Sequence, residues 1–316
     1  YVRGLDAELD ACSTLSMGLE FDREHEWEDW KGRRYTLRGE WSYCVGVAAT
    51  QVGCTPGTRD ANNGGRSLDD FVRMANEHIG VRRQQGHGTS LAEAFAYLTR
   101  DEVLAVRLYS GPAFQPINGF LRQIGCVTGA HRSALVRHAG ITFAATTSHL
   151  CRAIRKLAAV ASVEEARRPL WRGVRGELPR GFFVPDAKGM VCAVEHGFMS
   201  ASRCRQTPLE YLHGERNVLW ELSPCEQSDA AYHHGADISM LSQFASEEEV
   251  LYPPGTMLVV SRRGDDGATG APPPAGGKEA GAEAAMEADA CARDMQTSMS
   301  ITTQTTRIVR RNTRPP

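Results

Sequence analysis

Several features that identify common classes of protein are missing from this 316-residue sequence. It contains no run of about 18 apolar residues, which excludes an ordinary membrane-spanning helix. No G-x-G-x-x-G follows a predicted strand and no P-loop is present, so the usual cradles for dinucleotides and triphosphates are absent. The nine cysteines are scattered without a C-x-x-C pair, a pattern that resembles neither a disulfide framework nor a zinc site.

A strong excess of charge is also lacking, because 36 Lys and Arg residues face 38 Asp and Glu residues. Without a polycation or a basic amphipathic helix, we expect neither nucleic acid nor a membrane surface as a partner. Free thiols favour a reducing compartment such as the cytoplasm, although the chain starts at Tyr1 and leaves an upstream targeting signal open. A hydrophobic content of 41% is enough for a sizeable core.

Composition divides the chain into three predicted regions. Residues 1–66 show no clear period. The boundary lies in GCTPGTRDANNGGRS (residues 53–67), a stretch dense in Gly, Pro, Asn and Asp that is typical of a linker. Residues 67–263 carry the regular patterns of a folded domain. Residues 264–316 are rich in Gly, Ala, Pro, Ser and Thr and are predicted to form a disordered tail.

The folded region begins with the signals of helices. Ser67 is a candidate N-cap, with Asp70 three residues later as a weaker substitute for the Glu of a capping box. Thr99 and Glu102 match a complete capping box before the next apolar pattern. A later apolar pattern at helical spacing follows Ser148, a candidate N-cap. The first part of this region is therefore predicted to be helical.

Beyond Arg168 the pattern changes from helix to strand. Short runs rich in Val, Leu and aromatic residues follow, separated by turn signals: PLWRGVRG, GMVCAVEHGFMSAS, NVLWEL and EEVLYPPGTMLVVSR. Helices followed by strands predict an α+β fold rather than the alternating βαβ units of a doubly wound sheet.

Consecutive carboxylates precede the last of these strands, in SEEEVLYPPGT. If this segment is extended, side chains alternate, so Glu247 and Glu249 share one face and Glu248 lies on the other. Repulsion between neighbouring carboxylates should shift the pKa of at least one of them. A frayed, solvated strand end is the alternative interpretation.

Two other predicted strands carry polar side chains at their ends. Arg172 precedes Gly173, whose missing side chain allows close approach to the backbone. Ser200 and Ser202 share a face by the same period of two. These groups suit a phosphate-bearing substrate that becomes positively charged during reaction. The guanidinium would hold the phosphate, the hydroxyls would orient a carboxylate, and the carboxylate would stabilise the cation.

The order of these motifs resembles that of the arginine-specific mono-ADP-ribosyltransferase family. In that family an Arg ends the first core strand, Ser-x-Ser follows an aromatic residue, and Glu-x-Glu precedes Val-Leu-x-Pro-Pro; the counterparts here are LWRG, FMSAS and EEEVLYPP. The helical segment Leu98–Arg122 is similar as well. The resemblance covers residues 67–262 and implies a split mixed β-core with an N-terminal helical lobe, which makes residues 67–263 a catalytic domain.

This sequence departs from the family pattern at two places in these motifs. Ser-Ala-Ser stands where Ser-Thr-Ser is usual, and Trp171 stands where a Tyr commonly precedes the arginine. Neither change removes the arginine, the first serine or the second glutamate, so the resemblance implies an active enzyme rather than a dead scaffold.

The resemblance implies NAD+ as the donor substrate, and Arg172 would bind one of its phosphates. Gly173 would offer its backbone to the nicotinamide amide. Glu249, oriented by Ser200, would bind the 2′-hydroxyl of the nicotinamide ribose and stabilise the oxocarbenium-like transition state. Glu247 would position the acceptor guanidinium and help to remove its proton.

Further contacts are implied in the same way. Ser202 would belong to the NAD+ site, and Tyr211, within a closing loop at Arg203–Gly214, would stack on the nicotinamide. Phe244, in the loop before Glu247, would contact the target protein.

The implied function is transfer of ADP-ribose from NAD+ to arginine side chains of a protein acceptor, with release of nicotinamide. An NAD+ glycohydrolase, in which water replaces the guanidinium, and a non-catalytic NAD-binding or interaction module on the same fold remain as alternatives. No metal is expected, because the adjacent His233 and His234 would point in opposite directions along a strand and have no third ligand at a suitable spacing.

Overall fold

A computed structural model describes residues 16–29, 31–46, 59–61, 65–87, 97–126, 141–176, 178, 184–185, 191–212, 217–224, 234–261 and 300–302. The chain divides into two compact units, each assembled from separate segments. Unit 1 is formed from residues 1–166, 195–203 and 228–256, and unit 2 from residues 167–194, 204–227 and 257–316.

The first elements described in unit 1 are a short helix and a hairpin. Helix α1 (Met17–Phe21) is followed by the antiparallel strands β1 (Glu26–Glu28) and β2 (Arg34–Thr36), and α2 (Leu37–Val45) starts directly after them. The described helices beyond them are α3 (Leu68–Gln84), α4 (Arg100–Tyr109), α5 (Phe114–Gly125), α6 (Ala144–Ala159) and α7 (Val163–Arg167).

Helices α3 and α4 begin where the sequence predicts. Ser67 and Asp70 form a complete capping box at the start of α3, and Thr99 and Glu102 form another at the start of α4. In each box the two side chains accept hydrogen bonds from each other's main-chain amide, which satisfies donors that a helix leaves open at its first turn. Both predicted caps are confirmed.

Helix α6 begins before Ser148, the cap that the sequence suggests, because a distant residue caps it. The helix starts at Ala144, and the buried carboxylate of Glu20 accepts hydrogen bonds from the amides of Ala145 and Thr146 at 2.8 and 3.0 Å. Burial raises the pKa of Glu20, although the hydrogen bonds from Thr146 act in the opposite direction. The prediction of Ser148 as the cap is wrong, since the true cap is supplied from α1.

A small antiparallel sheet completes unit 1. Strand β8 (Glu249–Tyr252) lies between β5 (Met199–Ser202) and β7 (Ala236–Asp237) and is antiparallel to both. A single hydrophobic core contains residues of the helices and of this sheet: Phe21, Leu37, Phe71, Leu104, Ile117, Phe198 and Leu251. Residues that precede the 53–67 stretch and residues that follow it therefore pack in one core. The predicted domain boundary at residue 67 stays a prediction.

Most of the remaining strands lie in unit 2. Strand β3 (Leu170–Arg175) pairs antiparallel with β6 (Asn217–Ser223). Strand β10 (Ser300–Thr302) is parallel to β6 and antiparallel to β9 (Thr256–Ser261), and β4 (Cys192–Glu195) neighbours β9. Parallel and antiparallel pairs occur together, so this sheet is mixed.

Helices that precede most of the strands confirm the predicted α+β class, with an N-terminal helical lobe and a mixed β-core. The predicted strand runs correspond to β3, to β4 with β5, to β6, and to β8 with β9. Each of these runs is short and bounded by turn residues, which is why the sequence locates them well.

The predicted tail, residues 264–316, lies outside the described residues except for β10. Those strand residues differ from the prediction of disorder, because they pair with β6 and β9. Within the ranges that the structure describes, no helix combines the length and the apolar character that crossing a membrane requires.

Candidate active site

The carboxylates of SEEEVLYPPGT do not form the continuous strand that simple alternation predicts. Glu247 is the last residue of a 3₁₀ helix, Ala245–Glu247, and β8 begins only at Glu249. Between them Glu248 adopts a left-handed conformation, with φ of 47° and ψ of 49°. The predicted strand face shared by Glu247 and Glu249 is therefore wrong, because a turn separates the two residues.

Hydrogen bonds on both sides hold the left-handed turn at Glu248. A non-glycine residue in this conformation carries strain of about 1 kcal/mol or more. The Glu248 amide donates to the carbonyl of Ala245 at 3.3 Å, and its carbonyl accepts from the amide of Arg203 at 3.1 Å. The amide of Ile238 donates to the carbonyl of Glu249 at 3.0 Å. Residues that follow β5 and β7 thus fix the turn.

Ser202 lies directly across the β5–β8 ladder from Glu249, and Ser200 lies across from Leu251. Opposed residues of an antiparallel pair share a face, so both serines and Glu249 lie on one side of the sheet. The hydroxyl of Ser202 donates to the carbonyl oxygen of Glu247 at 2.6 Å. Ser202 therefore joins β5 to the turn itself, while the predicted action of Ser200 on Glu249 stays a prediction.

The glutamates of the turn differ in exposure. Glu249 is buried, with 7% of its surface exposed, whereas Glu247 is half-buried and Glu248 is exposed. Phe244, immediately before the 3₁₀ helix, is half-buried and donates its amide to the hydroxyl of Ser242 at 3.0 Å. The arrangement offers one carboxylate in a water-poor position and a second that solvent and an incoming group can reach.

The predicted phosphate and nicotinamide contacts lie in unit 2, on β3. Arg172 is opposite Trp220 and Gly173 opposite Leu219 in the ladder with β6. A Cβ atom on Gly173 would lie 2.9 Å from Cδ2 of Leu212 and 3.0 Å from the carbonyl oxygen of Pro208, so a larger residue would require Leu212 and the main chain at Pro208 to shift. The atoms close to Gly173 thus belong to the protein, and the predicted contact of its backbone with nicotinamide stays a prediction.

The predicted closing loop, Arg203–Gly214, contains the short helix α8 (Gln206–Glu210) where it is described. Two contacts tie it to β3: the guanidinium of Arg205 lies 5.6 Å from the ring centroid of Trp171, and Arg175 Nε donates to the carbonyl of Tyr211 at 2.9 Å. The side chain of Tyr211 is exposed. The predicted stacking of Tyr211 on nicotinamide stays a prediction.

The candidate residues are thus distributed over the two units. Unit 1 holds those predicted to act on the ribose and the acceptor: Ser200, Ser202, Phe244, Glu247 and Glu249. Unit 2 holds those predicted to bind the phosphate and the nicotinamide: Arg172, Gly173 and Tyr211.

Asn118 of α5 positions the start of β5, a role that the sequence motifs do not indicate. Its Oδ1 accepts from the amide of Phe198 at 2.8 Å, and its Nδ2 donates to the carbonyl of Phe198 at 3.2 Å. The same Nδ2 donates to the hydroxyl of Tyr109 at 2.9 Å. An asparagine that holds both main-chain groups of one residue fixes the strand that carries the two serines.

A second clamp lies one helical turn further along α5. The guanidinium of Arg122 donates to both carboxylate oxygens of Glu195, at 3.0 and 3.2 Å, and Glu195 accepts from the amide of Gly197 at 3.0 Å. Burial alone would lower the pKa of Arg122, but its hydrogen bonds with Glu195 outweigh this effect and raise it. The segment leading into β5 is therefore held by side chains of α5.

Replacing Asn118 with alanine is expected to lower the free energy of unfolding by about 1–3 kcal/mol, because buried main-chain groups of Phe198 lose their partner. Thermal unfolding followed by circular dichroism measures this loss. The control is Gln123→Ala on the exposed face of the same helix, which is expected to stay within about 0.5 kcal/mol of the wild type. Similar losses in both variants would show that the clamp contributes nothing.

No group of three or more His, Cys, Asp or Glu side chains suited to a metal ion occurs among the described residues. Of the pair His233 and His234, only His234 belongs to that part of the chain.

Comparison with known proteins identifies the family. The family model for NAD:arginine ADP-ribosyltransferase matches residues 60–269, more than half of the chain. No curated protein matches the sequence.

Solved structures with similarity to this chain include three bacterial proteins. The ADP-ribosyltransferase HopU1 of Pseudomonas syringae pv. Tomato DC3000 is 20% identical over 72% of this chain and 91% of its own, with a TM-score of 0.41. The Vis toxin, an ADP-ribosyltransferase from Vibrio splendidus, is 19% identical over 64% of this chain and 82% of its own, with a TM-score of 0.37. Exoenzyme S from Pseudomonas aeruginosa is 19% identical over 61% of this chain and 78% of its own, with a TM-score of 0.34.

The family match spans the helical lobe from residue 60, β3 with Arg172, β5 with its serines, and the Glu247–Glu249 turn. The fold is accordingly the ADP-ribosyltransferase fold that the motif order predicts. The chain belongs to the NAD:arginine ADP-ribosyltransferase family, whose members use NAD+ as co-substrate.

Proposed function

We propose that this protein is a mono-ADP-ribosyltransferase that transfers ADP-ribose from NAD+ to the arginine side chain of a protein acceptor. The observation that carries the proposal is the pair of carboxylates across the Glu248 turn. Glu249 is buried at the start of β8, and the half-buried Glu247 is held by Ser202 at the end of the 3₁₀ helix. One carboxylate is suited to a developing charge and the other to an incoming cation.

Glu249 is proposed as the residue that stabilises positive charge on the nicotinamide ribose. Its backbone is paired with Ser202 of β5 and bonded to Ile238, so the side chain starts from a fixed position. A fixed carboxylate in a water-poor site stabilises a developing cation more strongly than one in bulk water. Ser200 is proposed to orient Glu249, and Ser200 and Ser202, on the same face of the sheet, are proposed to line the NAD+ site.

Glu247 is proposed to bind the acceptor guanidinium. An arginine side chain has a pKa above about 12, so it reaches the site as a cation and must lose a proton as its nitrogen forms the new bond. A carboxylate at hydrogen-bond distance meets both needs, because it attracts the cation and accepts the proton. Phe244, one turn earlier, is proposed to contact the protein that carries the arginine.

Arg172 and Gly173 are proposed to hold the phosphate and nicotinamide parts of NAD+. Gly173 follows Arg172 directly on β3, so a ligand phosphate held by the guanidinium would lie close to the Gly173 backbone. A guanidinium binds phosphate oxygens through paired hydrogen bonds. NAD+ itself supplies ADP-ribose bound to nicotinamide, a good leaving group that departs with the bonding electrons.

Incubation of the purified protein with labelled NAD+, with and without agmatine, tests the proposal. Agmatine carries the guanidinium of arginine without the rest of a protein. Labelled agmatine together with free nicotinamide is the expected result. Nicotinamide release without labelling would instead identify an NAD+ glycohydrolase, and NAD+ binding without turnover would identify a non-catalytic module.

The variant Glu247→Gln should separate transfer from hydrolysis. We expect transfer to agmatine to fall by about 10²–10⁴-fold, because an amide neither attracts the guanidinium nor accepts its proton. Release of nicotinamide without acceptor should remain near the wild-type rate, since Glu249 is intact. Chromatography of both products measures the two rates in one reaction.

Glu248→Gln serves as the control for this variant, because it makes the same chemical change one residue away on an exposed side chain. It should leave both rates unchanged. If Glu247→Gln still labels agmatine at the wild-type rate, the acceptor role of Glu247 is refuted.

A further inference from the structure

Gln243, which precedes Phe244 and the 3₁₀ helix of the turn, has a fully buried side chain. Its Nε2 donates to the carbonyl oxygen of Arg107 at 2.7 Å, and its Oε1 accepts from Nε of Arg59 at 2.5 Å. A Cβ atom on Gly111 would lie 2.2 Å from this Nε2, so the amide fills the space beside α4 completely. Both ends of the side chain are therefore fixed.

The main chain of Gln243 is held as firmly as its side chain. Its amide donates to the hydroxyl of Ser110 at 3.1 Å, and its carbonyl accepts from the amide of Asp60 at 2.6 Å. The carbonyl of Leu241, two residues earlier, accepts from the guanidinium of Arg107 at 3.1 Å. The loop is thus bound at successive points to α4 and to the segment around Asp60.

The groups that hold Gln243 are themselves locked by ion pairs. Arg107 and Asp60 form a pair in which each side chain is 1% exposed, and Arg59 forms a pair with Glu40 at 2.7 Å. The guanidinium of Arg59 also lies 3.7 Å from the ring centroid of Tyr43. We refer to Glu40, Arg59, Asp60, Arg107 and Gln243 as the Gln243 cluster.

A single 3₁₀ turn connects this cluster to Glu247. The amide of Glu247 donates to the carbonyl of Phe244 at 3.0 Å, and Phe244 follows Gln243 directly. Because so few rotatable bonds separate Gln243 from Glu247, a displacement of the first would displace the second. Ser202 contacts both glutamates, since its hydroxyl binds the carbonyl of Glu247 and it pairs with Glu249 across the ladder. Glu249 has a further support that Glu247 lacks, because its carbonyl accepts from the amide of Ile238.

We propose that Gln243 is a positioning residue that sets the place of Glu247 relative to the acceptor guanidinium. The inference rests on the proposed role of Glu247. The Gln243 cluster would then favour transfer to the acceptor over hydrolysis of NAD+. Two of its members, Arg59 and Asp60, come from the glycine- and asparagine-rich stretch before α3. Loss of the Gln243 amide should therefore lower the ratio of the two rates rather than abolish turnover.

The test compares Gln243→Met with the matched variant Asn76→Ala in the full-length protein. Met fills a similar volume but forms none of the amide hydrogen bonds. Asn76 is also an amide clamp in unit 1, since it holds the main chain of Leu98 through bonds of 2.7 and 3.1 Å, but it lies on α3. The measurements are KM and kcat for agmatine, the rate of nicotinamide release without acceptor, and hydrogen–deuterium exchange over residues 244–248.

For Gln243→Met we expect the ratio of transfer to hydrolysis to fall by about tenfold to a hundredfold, as for a displaced catalytic group. KM for agmatine should rise, exchange over residues 244–248 should increase, and Asn76→Ala should keep the wild-type ratio. An unchanged ratio in Gln243→Met, or an equal fall in Asn76→Ala, overturns the proposal.

A second variant, Gln243→Asn, keeps an amide on a shorter side chain and should give an intermediate ratio of transfer to hydrolysis. If Gln243→Met does not fold, Gln243→Asn takes its place in the test. A wild-type protein that fails to label agmatine refutes the proposed function. In that case exchange over residues 244–248 decides the inference, because an unchanged value in the variant shows that Gln243 does not fix the loop.

Discussion

A glutamine in place of Glu249 is expected to lower the rate of nicotinamide release by about 10²–10³-fold, with or without an arginine acceptor. Glu249 is 7% exposed as a whole residue and starts β8 opposite Ser202. A glutamine of the same shape carries no charge, so it loses the attraction to the cation that develops as nicotinamide leaves. Initial rates at saturating NAD+, with nicotinamide separated by chromatography, give the change in kcat.

The control for this variant is again Glu248→Gln, whose exposed side chain lies next in the sequence and should keep the wild-type rate. Binding of NAD+ by Glu249→Gln, measured by calorimetry, should weaken far less than kcat falls, since the carboxylate acts mainly in the transition state. An unchanged rate of nicotinamide release in Glu249→Gln would falsify the assignment. A parallel loss in Glu248→Gln would point to a damaged turn instead.

Local patterns in the sequence predict the elements that surround this site. The capping boxes at Ser67 and Thr99 and the strand runs depend on residues close together in the chain. Such patterns are specified by backbone propensity and by alternation, which act over a few residues. The structure confirms the helices, strands and fold class for this reason.

The conformation at Glu248 shows where local rules fail. Left-handed residues are usually Gly, Asn or Asp, so a glutamate gives no signal of a turn. Here the conformation is imposed by partners distant in sequence, since the amide of Arg203 binds the Glu248 carbonyl and Ser202 binds the carbonyl of Glu247. Alternation therefore predicted one strand where tertiary contacts produce a 3₁₀ helix followed by a turn.

The stretch GCTPGTRDANNGGRS shows the same limit for composition. Its glycine, proline and asparagine content is typical of a linker, yet within it the half-buried Arg59 and the buried Asp60 bind side chains of the unit 1 core. Arg59 binds Gln243 across 184 positions of the sequence, and Asp60 binds Arg107 across 47. No local sequence pattern indicates these hydrogen bonds and ion pairs, because the partners come close together only when the chain is folded.

The second large effect is expected from Asp60→Asn, which should lower the free energy of unfolding by about 3–5 kcal/mol. Both terminal nitrogens of Arg107 donate to the Asp60 carboxylate, at 2.9 and 2.7 Å, and both side chains are 1% exposed. Asparagine leaves the guanidinium buried without a counter-charge, and desolvation of that charge is then no longer offset. Urea unfolding followed by circular dichroism measures the change.

The matched control is Asp69→Asn, which breaks the ion pair between Asp69 and Arg100. Those side chains are 82% and 53% exposed, so the expected loss is below about 1 kcal/mol. The double variant Asp60→Asn with Arg107→Met removes both buried charges and should recover part of the stability that Asp60→Asn alone loses. The contrary outcome is a double variant with a lower free energy of unfolding than Asp60→Asn alone. In that case lost packing, rather than an uncompensated charge, explains the effect of Asp60→Asn.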